Sequence, residues 1–155
     1  MIYSLFSLIG IIIGILIAYL SKEELESGKK YFIILEILII LALIITIFFF
    51  EFNIIFFSLG LALGLLIIKE YLYFGIILFS GVFNNNVQFL NTALVFLYGM
   101  PYSSMIFYKK EFKDIIWNGI LFLLCASLLF VNFKFLINFA SGGLVIIAIR
   151  KTLSL

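Results

Sequence analysis

The sequence predicts an all-α membrane protein, a compact bundle of seven transmembrane helices, on three observations. Of 155 residues, 66% are hydrophobic and 12% charged, whereas charged residues make up about a quarter of a soluble chain; the mean hydropathy is +1.34. Apolar runs recur along the whole length, separated by short polar breaks that leave no room for a soluble domain. The lysines fall in alternate breaks: if every run crosses, Lys22, Lys29, Lys30, Lys69, Lys109, Lys110, Lys113, Arg150 and Lys151 share one side and Lys134 stands on the other. The positive-inside tendency makes the lysine-rich side cytoplasmic, or its organellar equivalent, with the N-terminus outside and the C-terminus inside.

The first run, Ile2 to Leu20, lacks the basic start and small-residue cleavage pattern of a signal peptide, so it reads as a span. Gly10 and Gly14 stand at the spacing that lets two helices approach closely. A charged loop, SKEELESGKK, leads into the second span, Tyr31 to Phe50. Glu51, Phe52 and Asn53 make a tight turn before the third, Ile54 to Ile68, where Gly60 and Gly64 repeat the close-packing spacing. Tyr71 to Phe83 is short for a crossing, since it covers only about 20 Å as a helix. The charge pattern nevertheless requires it to cross, because otherwise Lys109, Lys110 and Lys113 would face away from the SKEELESGKK loop. The fifth span, Val87 to Tyr108, is the most irregular; the sixth runs from Ile115 to Val131, and the seventh from Phe135 to Ile149, closed by Arg150 and Lys151.

Shifting the chain on itself lays apolar run on apolar run and Lys69 on Arg150. One membrane domain, 1–155, then divides into a three-helix unit (1–69), a linker helix (70–86) and a second three-helix unit (87–155). A three-helix unit followed by one linker span places both copies in the same orientation, a parallel repeat. Tyr98, Gly99 and Pro101 followed by Lys109 and Lys110, and Asn138 followed by Gly142 and Gly143, together with this three-plus-one-plus-three plan, resemble the SWEET and PQ-loop sugar-transporter superfamily. The resemblance implies transport, with Pro101 in the first helix of a repeat and Asn138 near a substrate-facing position. The segment Tyr73-Phe74-Gly75-Ile76-Ile77 is similar to a stretch of small membrane subunits of respiratory NADH dehydrogenases.

Polar residues inside apolar runs are the candidate functional groups, because each is costly in hydrocarbon. Glu36 lies about 9 Å along its helix from Lys30, where it could handle a proton or cation or rest at the interface, with Lys29 on nearly the same face as a partner through water. Asn91, Thr92, Asn118 and Asn138 could line a path for a hydroxyl-rich solute or water, or bond between helices. Pro101 with Gly99 is a candidate hinge, with Ser103 and Ser104 placed to satisfy the carbonyls it frees.

The chain has no His, one Cys (Cys125) and one Asp (Asp114), so hydrolytic, metal and redox constellations cannot be assembled from it. Neither catalysis by the chain alone nor a metal or cofactor is expected. Net charge is +2 with the lysines dispersed, which leaves nucleic-acid binding without support. The expected partners are the lipid bilayer and other membrane helices, as a homo-oligomer or larger complex. The expected role is of transport type, moving a small solute or ion. The alternatives are a non-catalytic membrane subunit of a larger assembly and a membrane assembly or scaffold factor.

Overall fold

Small residues decide how these helices meet. The computed structural model describes residues 2–48, 52–80, 85–130 and 135–155, and every element in them is helical. In chain order these are α1 (Ile2–Phe6), α2 (Ile9–Leu20), α3 (Glu24–Phe48), α4 (Ile54–Leu66), α5 (Glu70–Phe79), α6 (Asn85–Tyr108) and α7 (Phe112–Leu124). A 3-10 segment (Cys125–Phe130) and α8 (Leu136–Leu153) follow. Two helices, Glu24–Phe48 and Leu136–Leu153, are long and apolar enough to cross a membrane; Ser4–Leu20, Ile54–Leu66 and Glu70–Phe79 are apolar but shorter. Glu51, Asn84 and Lys134, which the sequence places in turns between spans, lie outside the described residues.

The closest helix pairs are α2 with α6 and α4 with α8, while α3 packs on both α6 and α8. A Cβ at Gly10 would stand 2.0 Å from the Phe96 carbonyl oxygen, and one at Gly60 equally close to that of Phe139. The contact faces expected from both glycine pairs are therefore where the backbones meet. Gly14 meets Met100 and Gly64 meets Gly143, so within each pair the helices run parallel. α3 runs against α6, with Glu26 near Tyr108 at one end and Thr46 near Asn91 at the other. These contacts join the 1–69 and 87–155 segments, so the two halves interlock.

α5 lies in the middle, with Tyr71, Tyr73, Phe74, Ile77, Leu78 and Phe79 all buried. Its 10 residues span about 15 Å as an α-helix, half the hydrocarbon thickness of a typical bilayer. Around it gather aromatic rings, with Phe74 and Tyr98 edge to face at 4.7 Å and Phe79 against Phe122 at 5.3 Å. Facing outward instead are Leu16, Leu38, Ile45, Leu97, Trp117 and Leu124, all exposed. An apolar exterior of this extent marks contact with lipid or protein.

Two helix ends differ from the sequence expectation. The SKEELESGKK stretch is not a loop: α3 begins at Glu24, because Glu, Leu and Lys are good helix formers and Glu24 and Glu26 suit the positive helix start. Buried Leu25 anchors this extra length. Arg150 and Lys151 do not close α8; they sit in its last turn, which continues to Leu153. Asn53 caps α4 by accepting from the backbone N–H groups of Ile55 and Phe56.

Candidate functional site

The parallel and antiparallel pairings bring the starts of α3, α5 and α7 and the ends of α6 and α8 to one end of the bundle. The chain places its cations at the same ends, and the result is a polar cavity of about 260 Å³. Lys29, Lys69, Lys109 and Lys151 line it together with Glu36, Glu70, Glu111 and Asp114.

Lys151 is the hub. Its ammonium donates to Glu36 and lies 3.3 Å from Glu70 Oε1. It also stands 5.5 Å from the Tyr98 ring centroid and 5.8 Å from that of Tyr102, within cation–π range. Glu36 is 3% and Glu70 8% exposed, so two carboxylates share one ammonium with little help from water. Desolvating such a group costs several kcal/mol per ion, roughly, and removing one partner strands the others. On the wall formed by the starts of α5 and α7, Lys69 pairs with Asp114.

Asn118 links this wall to the aromatic core. Its amide nitrogen donates to Tyr102 Oη and to the Asp114 backbone carbonyl. A carbonyl can only accept, so the amide orientation is fixed and Oδ1 is the remaining acceptor. Among the described residues that buried oxygen has no hydrogen-bond donor, and the buried Tyr71 and Tyr98 hydroxyls have no partner. Unpaired buried polar atoms are uncommon enough to need a reason.

Of the candidate residues, Glu36 and Asn118 meet at this cavity. Lys29 also lines it, but the partner of Glu36 is Lys151. Asn91 and Asn138 lie elsewhere. Asn91 is buried beside Thr46, 2.8 Å away, about 16 Å along α6 from Tyr102. Asn138 is buried in the first turn of α8, at the opposite end from Lys151.

Pro101 lies inside α6, which runs unbroken from Asn85 to Tyr108. Ser103 and Ser104 do not serve the carbonyl that Pro101 frees. Ser103 Oγ reaches Ile11 O at 2.8 Å and Gly99 O at 2.6 Å; Ser104 Oγ reaches Gly14 O and Met100 O, each at 2.7 Å. The two hydroxyls tie α6 to the α2 backbone. Gly99 lies in the same contact, where a Cβ would come within 2.9 Å of the Gly10 and Ile11 backbone and of Tyr71 Oη.

Glu70, Lys151, Tyr71 and Tyr102 are not among the candidate residues of the sequence, and Tyr98 enters there only through the transporter resemblance. The spacing of Tyr98 and Tyr102 puts them on one helix face, which is a legible signal. Lys151 carries no such mark, since a lysine next to Arg150 at the end of an apolar run looks like a terminus. No family model, curated protein or solved structure matches the chain.

Proposed function

We propose that this chain is a multi-pass membrane protein of transport type, whose charged cavity is the cytoplasmic vestibule for a small polar solute. The observation that carries the reading is the Glu36–Lys151–Glu70 cluster at the cavity floor. A soluble bundle gains little from burying such a cluster, which is often no more stabilising than apolar side chains of the same volume. Intramembrane ionisable groups that face a cavity, by contrast, mark solute and ion paths.

Seven crossings, with the N-terminus outside, fit this reading. The helix directions put the lysine-rich breaks at one end, as the positive-inside tendency requires. The outward-facing Leu, Ile and Phe side chains suit lipid. α5, too short to cross unaided, is the interior element of the bundle and needs no lipid-facing surface of its own. Below the cavity, Tyr71, Phe74, Tyr98 and Phe122 form the barrier between vestibule and opposite face.

The resemblance to the sugar-transporter superfamily is consistent with transport but not with a sugar at this site. Sugars are commonly held against open aromatic faces, and the Tyr98 and Tyr102 rings here face the Lys151 ammonium. Uptake of labelled glycine, ethanolamine, phosphate and glucose into proteoliposomes holding this chain alone tests the proposal. A polar solute should enter faster than into protein-free vesicles, and Glu36→Gln should abolish the difference while the protein stays monodisperse. If no solute enters above the protein-free rate, and the chain is stable only when purified with other subunits, the non-catalytic subunit role replaces the transport role.

A further inference from the structure

Resting on the cavity being a solute site, we infer that its ligand is a small zwitterion carrying a primary ammonium and an anionic group, carboxylate or phosphate. The floor and the mouth of the cavity have opposite spare charge. At the floor, Glu36 and Glu70 share the single ammonium of Lys151, which leaves an excess negative charge. Asn118 lines the same cavity, although its Oδ1 oxygen, unpaired among the described residues, is itself buried. A carboxylate excess calls for a ligand that donates protons and carries positive charge, as a primary ammonium does.

At the mouth the sign reverses. Lys69 is committed to Asp114, but Lys29 and Lys109 are exposed and line the cavity beside Glu111, with Lys109 also acting on Glu36. Two lysines on flexible stems suit a carboxylate or phosphate, which they can meet as point charges. The cavity volume is about 260 Å³, many times the roughly 10–15 Å³ that one water needs. That leaves room for an amino acid or aminoethyl phosphate. The same chemistry occurs in a free solute and in the headgroup of phosphatidylethanolamine, and a vestibule at the membrane face could receive either.

Thermal-shift and equilibrium-binding measurements on the detergent-purified chain test this without requiring transport. The probes are 2-aminoethyl phosphate and glycine as zwitterions, ethanolamine as cation, phosphate and acetate as anions, and glucose as neutral control. A parallel arm compares nanodiscs of phosphatidylethanolamine with nanodiscs of phosphatidylcholine. A zwitterion should bind at least about tenfold more tightly than either half alone, or phosphatidylethanolamine should stabilise the chain where phosphatidylcholine does not; the responding arm identifies the source.

Lys29→Ala with Lys109→Ala changes exposed side chains outside the ion-pair cluster, so folding should survive. This variant should lose the wild type's preference for the zwitterion over ethanolamine, while ethanolamine binds at least as tightly as to wild type. Equal binding of ethanolamine and zwitterion by wild type, preference for glucose or a simple anion, or no binding in either arm would overturn the inference. Zwitterion binding without uptake would leave it standing and sink the transport role.

Discussion

Lys151, in the last turn of α8, donates a hydrogen bond to Glu36 of α3 across 115 positions of chain, and both are held away from bulk water. The contact closes the bundle at its charged end, because α8 is the last helix and α3 among the first. Glu70 on α5 joins it at 3.3 Å, so three helices meet on one ammonium.

Removing that ammonium should therefore be more damaging than removing one carboxylate. Lys151→Met leaves two buried carboxylates facing each other and is expected to cost about 3–5 kcal/mol. Glu36→Gln keeps the shape, leaves Glu70 to balance Lys151, and should cost appreciably less. Unfolding by denaturant in a fixed detergent, followed by tryptophan fluorescence, ranks them.

The helix contacts give a contrast between glycines. Gly10→Ala and Gly60→Ala drive a methyl into backbone carbonyls and should each destabilise by about 1–3 kcal/mol or more, since the neighbouring backbone must move. Gly119, in α7, has nothing within 4 Å of its added Cβ. Gly119→Ala should be neutral or stabilising by up to about 1 kcal/mol, as expected for a helix interior. Melting temperatures of the three variants check the order.

Lys110, two residues past the end of α6, has a φ of 62°, in the left-handed region that costs a side chain about 1–2 kcal/mol. Backbone bonds from the Lys110 and Glu111 N–H groups to Phe107 and Ile106 fix that conformation. Lys110→Gly should raise stability by about 1 kcal/mol, measurable in the same unfolding assay.

Cys125 is buried at 5% exposure, with its sulfur 3.5 Å from the Leu72 carbonyl. Maleimide should label it only after unfolding. Labelling at the rate of a small free thiol in the folded protein would show that this side of α5 opens.

The helical class was legible because apolar composition and lysine placement are properties of the chain alone. Gly10, Gly14, Gly60 and Gly64 were legible as contact faces, since their spacing defines a groove. What fills each groove was not, because Phe96 and Phe139 are ordinary residues whose relevance comes from position in space. Glu36 and Asn118 stood out as polar atoms in apolar runs. Glu70 and Lys151 did not, because each sits at the end of an apolar run, where a charge reads as a boundary. Whether such a charge turns inward depends on the neighbouring helix; α8 continues past Lys151 to Leu153, and the Thr152 hydroxyl donates back to the Ala148 carbonyl.

The most direct measurement compares two cysteines on one helix. Ile106 lines the charged cavity, whereas Leu97, on the same α6, is exposed at 46% but points outward. In a Cys125→Ser background reconstituted in oriented vesicles, Ile106→Cys should react with a membrane-impermeant maleimide from the cytoplasmic face only. Leu97→Cys should stay silent from both faces, because lipid covers it. Reaction of Leu97→Cys as fast as Ile106→Cys, or labelling of Ile106→Cys from the outside, would contradict a membrane-embedded vestibule open to the cytoplasm.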